Sequence, residues 1–290
     1  MTQPRIGLAL GGGGARGLAH IPVLEAFDDL GIRPHAMAGT SIGALLGAAY
    51  AGGMAGEAMR SFAEDTFRDR NAVLAKLWKL RPKRFADLFG GGGLMQFEAL
   101  KVLEVFIGDA IPATFADLRL PLAVIATDFY GCKELDLRTG NLHAAVAASI
   151  AIPALFRPVT IDGRIVIDGG VVNPLPFDAL PKTCDIIVAV DVVGSPSPRR
   201  KRQNPSATDA LFGATQILMQ TITSQKLRSR RPDILVKPDI DSFRVLDFLK
   251  ADKVLEAAEP IRETVKRQVA DAIEAHDKAA AKGERHRLQA

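Results

Sequence analysis

Two glycines flank a serine in Gly39-Thr40-Ser41-Ile42-Gly43. This G-x-S-x-G spacing bends a strand sharply into a helix and lifts the serine hydroxyl clear of the backbone. Such a hydroxyl can attack a carbonyl once a neighbouring base takes its proton. With nine serines and 26 glycines in 290 residues, a chance match is expected about 0.07 times per chain. The plain alternative is a helix N-cap, because Thr or Ser satisfies a helix's first N–H groups. The usual base is a histidine, and the chain has five: His20, His35, His143, His276 and His286. None stands where a triad requires one. His20 and His35 precede the serine and read as packing or surface residues. His143 opens an Ala-rich segment, with only Asp128 before it on a convincing strand end, and His276 and His286 fall in a charged stretch with a solvent-facing pattern.

A carboxylate is therefore the expected base. Asp168 is best placed, in IVIDGGVVNPLP at the end of an apolar strand and followed by Gly169, Gly170 and an Asn-Pro turn, while nearby Asp162-Gly163 reads as a tight turn between strands. An aspartate with an ordinary pKa near ~3.9 is a weak base for a serine hydroxyl, so its surroundings must help. Apolar walls would raise that pKa, and the positive end of the helix after Ser41 would favour the developing alkoxide.

A third element is the tetraglycine turn Gly11, Gly12, Gly13 and Gly14, between a strand and a helix. Glycines let several N–H groups point into one small volume, which suits an anion. The anion is either a dinucleotide pyrophosphate or the oxyanion of an acyl-transfer intermediate. Gly12, Gly14 and Gly17 fit the G-x-G-x-x-G fingerprint, but that fingerprint also needs an acid at the end of the second strand, where Ser41 stands instead.

The elements that must carry these residues alternate short apolar runs with longer amphipathic ones, which predicts an α/β fold with a largely parallel sheet. Strands are expected at 5–10, 35–39, 185–194 and 233–238. Hairpins are expected over 121–140, turning at Tyr130-Gly131, and over 157–170. Helices are expected at 15–32, ending near Gly31 and bent at Pro22, at 41–53, and over 250–286. Residues 56–108 read as helical, interrupted by a loop at 89–95, and 194–206 as a Pro/Ser/basic loop.

Composition narrows the classes. Forty-eight per cent of the residues are hydrophobic and 6% aromatic, which excludes a disordered chain. The net charge of +4 comes without a nucleic-acid recognition motif, so no nucleic-acid partner is expected. The densest basic cluster is Arg199, Arg200, Lys201 and Arg202, either a solvated loop or an attractor for anionic lipid headgroups. Cys132 and Cys184 match no metal or redox spacing. The N-terminus does not read as a signal peptide, and no apolar run reaches the roughly 18 residues of a membrane span. The expectation is a cytoplasmic protein, with peripheral membrane contact as its extension.

The ordered motifs together resemble those of the patatin-like phospholipase family. GGGARG (12–17) is similar to its glycine-rich oxyanion loop, GTSIG (39–43) to its nucleophile elbow and DGG (168–170) to its Asp-Gly-Ala/Gly motif. AASIAIPALFRPV (147–159) resembles a stretch that precedes the family's aspartate strand. The resemblance covers about residues 5–195, expected to form a catalytic core that 196–290 complete as one domain. It implies a three-layer α/β sandwich with a mostly parallel central sheet. It also implies a Ser41–Asp168 dyad in place of a triad, with an acyl-enzyme on Ser41. Backbone N–H groups of Gly12, Gly13 and Gly14 would hold the oxyanion, with Arg16 bracing the loop or meeting a phosphate. Gly39 and Gly43 would shape the elbow, and Gly169 and Gly170 the turn after the aspartate. Family members hydrolyse phospholipid, lysophospholipid or other lipid esters without a metal or cofactor. Pro22 stands where many relatives have glycine, and residues 56–108, the expected lid or acyl pocket, match nothing specific. Two other readings stay open: a dinucleotide-binding oxidoreductase and a weakly active, membrane-associated regulatory protein.

Overall fold

Strands without a polar face must be covered on both sides, and four apolar runs of this chain are of that kind. The computed structural model describes residues 3–80, 96–196 and 204–288. Within it β1 (Ile6–Leu10), β2 (Ala36–Thr40), β3 (Leu122–Asp128) and β7 (Ile186–Val190) are buried along their whole length. They pair in parallel in the order β3-β2-β1-β7, with β8 (Ile234–Val236) beyond β7. β4 (Lys133–Leu137), β6 (Arg164–Asp168) and β5 (Val159–Ile161) join antiparallel at the β3 end. The hairpin joining β5 to β6 turns at Asp162 and Gly163, with φ 49° and 75°, the two positive angles of a primed two-residue turn. The fold is mixed α/β with a mostly parallel central sheet, as the sequence pattern predicts.

The two faces of the sheet differ in side-chain size. Leu8, Leu10, Met37, Val124, Val188 and Val190 belong to the larger core. It is roofed by α1 (His20–Asp29), α2 (Ile42–Gly52), α3 (Gly56–Arg68) and α9 (Pro260–Leu288). The alternate residues are mainly small, among them Ala9, Ala36, Ala38, Ala123 and Ala189, and pack with Leu175, Phe177 and Leu180. A face of alanines lets the irregular segment 174–180 lie close against the sheet, where a helix would need larger side chains to meet it.

Several expectations are refined. Residues 14–19 form a 3-10 turn and α1 begins only at His20. Pro22 thus falls in the first turn of α1, where its missing N–H removes no helical bond; the expected bend is a change of helix type. The helix expected over 250–286 divides into α8 (Ala251–Ala258) and α9, which starts at Pro260. Residues 56–108 are helical in α3, α4 (Arg70–Leu80) and α5 (Ala99–Phe106). The loop expected at 89–95 lies outside the described residues. Two helices, α6 (Leu142–Ser149) and the long α7 (Ala207–Ser229), match no expected element. Among the described residues no helix is long and apolar enough to cross a membrane.

Phe177 is 1% exposed and anchors the segment on the small-residue face. Phe177→Ala is expected to lower the free energy of unfolding by about 3–5 kcal/mol, read as a lower midpoint in urea at unchanged slope.

Candidate active site

The positions of Ser41 and Asp168 follow from strand register. β4 occupies one edge of β3 along residues 124–128. Both other partners must share the opposite edge. β2 runs along it until Thr40 faces Ile125, and β6 arrives antiparallel until Asp168 faces Ala126. The two strands thus meet end to end, and Ser41 Oγ donates a hydrogen bond to Asp168 Oδ2 at 2.6 Å. Both residues are buried.

Ser41 has φ 55°, a left-handed conformation that a non-glycine residue holds only when its surroundings enforce it. The enforcing contacts are specific. Its N–H donates to Ser149 Oγ at 2.8 Å, and Ser149 Oγ–H donates to the Ile125 carbonyl at 2.6 Å. The turn also needs the backbones to touch: a Cβ on Gly43 would lie 2.2 Å from the Leu10 carbonyl oxygen, and one on Gly39 2.5 Å from that of Gly43. The elbow's glycines are thus required by close approach.

Asp168 is held on three sides. Gly170 N–H donates to Oδ1 at 2.7 Å, Ser41 donates to Oδ2, and Thr127 Oγ1 donates to its carbonyl at 2.8 Å. Burial pushes the carboxyl up to about 6, against the lowering effect of the Ser41 and Gly170 donors. The described histidines have their partners elsewhere. His143 Nε2 lies 3.2 Å from the Ile111 carbonyl, His35 sits beside Thr183, and His276 beside Asp277.

His20 is the exception in interest. It is fully buried, and its Nε2 lies 2.8 Å from the Gly11 carbonyl oxygen. A carbonyl only accepts, so the proton sits on Nε2. Desolvation holds the ring's pKa down at about 4, so it is neutral. It braces the glycine turn, a role that sequence spacing does not reveal.

That turn divides its N–H groups. Gly11 N–H donates to Val190 at 3.0 Å, Gly12 N–H to Pro174 at 2.9 Å and Ala15 N–H to Val245 at 2.8 Å. Gly12 was expected among the oxyanion donors; its N–H is committed to Pro174 and is not available. Gly13 and Gly14 N–H groups have no partner among the described residues, and both glycines border the cleft that contains Ser41 and Asp168. Gly14 has φ 60°, and a Cβ there would fall 2.2 Å from the Val245 carbonyl oxygen. Arg16 is 2% exposed beside Asp241 and Asp191, and desolvation brings it down to about 10, which leaves it protonated at neutral pH.

The cleft has a volume of about 50 Å3, and Phe212, Gln216 and Met219 of α7 form its roof. A second cavity of about 80 Å3 opens on the other side of the elbow, lined by Ile42, Leu46, Met59, Phe62, Phe67 and Phe106. Five of these six come from α2 and α3, and almost all the lining is apolar.

A family model described as patatin-like phospholipase matches residues 8–181, which span the glycine turn, the elbow and the aspartate. The chain belongs to the patatin-like phospholipase family. An uncharacterized NTE family protein of Mycobacterium tuberculosis is 33% identical over 234 residues, 79% of this chain and 61% of that protein. Patatin-like phospholipase domain-containing protein 7 of Rattus norvegicus is 29% identical over 284 residues, 88% of this chain and 20% of that protein. The chain thus spans about three fifths of its mycobacterial relatives and a fifth of the rat one. Among solved structures, VipD from Legionella pneumophila aligns with 94% of this chain and 67% of its own at 13% identity and a TM-score of 0.49. Human GIVD cytosolic phospholipase A2 aligns with 95% and 60% at 12% identity and 0.45. The basic cluster Arg199, Arg200, Lys201 and Arg202 lies outside the described residues.

In this patatin-like site Ser149 supports the elbow without touching the cleft. Ser149→Ala leaves a buried N–H and a carbonyl unpaired, and it is expected to cost about 1–3 kcal/mol in denaturant unfolding.

Proposed function

We propose that the protein is a serine acyl hydrolase acting on lipid esters through a Ser41–Asp168 dyad. The observation that carries this reading is the 2.6 Å hydrogen bond from a strained elbow serine to a buried carboxylate. Ser41 Oγ attacks the ester carbonyl as its proton passes to Asp168 Oδ2. The negative charge on the former carbonyl oxygen is met by Gly13 and Gly14 N–H. Collapse expels the alcohol, which takes the proton from Asp168, and leaves the acyl group on Ser41. Water then attacks the acyl-enzyme with Asp168 as base, returning carboxylic acid and free serine. Arg16, protonated near Asp191 and Asp241, lines the same cleft and braces the glycine turn or meets a substrate phosphate. The apolar cavity beginning at Ile42 takes the acyl chain, so the segment 56–108 supplies acyl-pocket walls while α7 covers the dyad. Substrates are phospholipid, lysophospholipid or neutral-lipid esters, reached by peripheral contact in which Arg199, Arg200, Lys201 and Arg202 attract anionic headgroups. The dinucleotide reading is disfavoured because Ser41 and not an acid ends β2.

Treatment with an alkyl fluorophosphonate followed by peptide mapping is expected to place one adduct on Ser41. A protein that remains unmodified while folded would sink the assignment. Ser41→Ala is expected to abolish ester hydrolysis and Asp168→Asn to reduce it by at least about a hundredfold, the size of a general-base contribution. Because Asp168 must be ionised to accept a proton and burial raises it to about 6, kcat/KM is expected to fall as pH drops through about 6. It is expected to level off above 7 with no histidine limb. A profile already flat at pH 5 would exclude Asp168 as the base.

A further inference from the structure

Helix α7 carries apolar side chains on two sides, with Phe212 and Met219 lining the cleft and others facing outward. Its cleft-facing side buries the polar Gln216 and Thr223, and Gln216 Nε2 donates to the Val193 carbonyl at 3.1 Å. Its outer side carries Leu211, Ala214, Ile217 and Leu218, spaced at three and four residues so that they share one face. Leu211 is 50% exposed, Ile217 54% and Leu218 64%. No charged residue occurs between Asp209 and Lys226. Asp209 is held in a capping box with Ser206 and lies beside Arg244. A helix that leaves such a face in water lacks the charge that a solvated surface normally carries.

Basic residues follow this face in the described structure, and others precede it in sequence. Arg199, Arg200, Lys201 and Arg202 precede α7 in sequence, and the exposed Arg228, Arg230 and Arg231 follow its apolar stretch. An apolar strip leading to the exposed Arg228, Arg230 and Arg231 complements a surface that is anionic outside and hydrocarbon within.

We infer that the outer face of α7 docks on an anionic phospholipid surface, with Leu211, Ile217 and Leu218 entering the headgroup boundary. The inference rests on the lipid-ester reading only for its purpose: the inner face of the same helix roofs the Ser41–Asp168 cleft. Docking therefore brings the cleft's roof to the membrane, within a helix diameter of about 10 Å.

The test uses the full chain carrying Ser41→Ala, so that binding is read without turnover. Cosedimentation is measured with vesicles of phosphatidylcholine and of phosphatidylcholine mixed with phosphatidylglycerol. Preferential, salt-weakened binding to the mixed vesicles is expected, and adding Ile217→Glu and Leu218→Glu is expected to reduce it at least about tenfold. With Ser41 intact, the same pair of changes is expected to leave hydrolysis of a soluble short-chain ester at the wild-type rate. A separate Trp78→Phe, Leu218→Trp variant reports insertion directly, as a blue shift of tryptophan emission on mixed vesicles. Equal vesicle binding with and without the two glutamates would overturn the inference, as would an unshifted tryptophan emission. So would a change in self-association alone, which would assign the face to a second copy. An inactive wild type on the soluble ester would instead count against the hydrolase reading and leave the vesicle measurements to stand on their own.

Discussion

One edge of β3 holds two strands end to end, and the site depends on that abutment. β2 leaves the edge at Ile125 and β6 reaches it at Ala126. Ser41 and Asp168, 127 residues apart in the chain, thus become neighbours through backbone register and not through flexible side chains. Register in a sheet is unforgiving, because a slip of one residue sends each side chain to the other face. Here it is pinned at the joint itself. The Ile125 carbonyl accepts from Ser149, whose oxygen in turn receives the Ser41 N–H. A Cβ on Gly169 would sit 2.2 Å from that same carbonyl oxygen, so the turn after the aspartate lies directly on β3. Ser41, Asp168 and the strand between them are fastened at one peptide group.

The glycine turn is tied to the same joint by the strap that leaves Asp168. Thr40 Oγ1 donates to the Asn173 carbonyl at 2.7 Å, and Gly12 N–H donates to that of Pro174 at 2.9 Å. The strap thus passes the ends of β2 and then β1 before Leu175 and Phe177 enter the small-residue core. An anion site made of backbone N–H groups works only if those groups are held before the charge develops. The strap, the buried His20 and the carbonyls of Val190 and Val245 each occupy one group of the turn. What they leave over is Gly13 and Gly14, facing the cleft.

Much of this was legible in the sequence because the motifs encode backbone geometry. A serine between glycines, a glycine run after a buried strand and an Asp-Gly-Gly after another each announce a turn that only those residues tolerate. The α/β class and both hairpins followed from apolar periodicity. What escaped depended on distant partners. Which glycine N–H is free is decided by Pro174, some 160 residues away in sequence, and no local pattern carries that. Ser149 lay within a recognised stretch, yet its hydroxyl's two partners are set by tertiary packing. α7 escaped for a different reason. Its inward side mixes Phe212 and Met219 with polar Gln216 and Thr223 while Leu211, Ile217 and Leu218 point outward, so no single apolar stripe marks a core-facing helix.

The missing histidine is answered by burial. A solvated aspartate would be too weak a base, and an imidazole would need a second group to orient it, as Asp does in a triad. This chain removes the aspartate from water instead. Raising Asp168 from 3.8 to about 6 corresponds to about 3 kcal/mol against the ionised form. The sign matters for stability: a carboxyl whose folded pKa is raised makes the fold less stable as pH climbs from its unfolded value through 6. That loss is limited by the two hydrogen bonds the carboxylate accepts, from Gly170 N–H and from Ser41 itself. In the proposed dyad, a proton moving to Asp168 would relieve the desolvation penalty on the carboxylate as Ser41 gives that proton up. In the proposed mechanism, the raised pKa of the base would favour the proton transfer from Ser41 while Gly13 and Gly14 N–H would stabilise the charge that develops on the ester oxygen. A dyad can therefore carry out the chemistry for which a solvated aspartate would need a third residue.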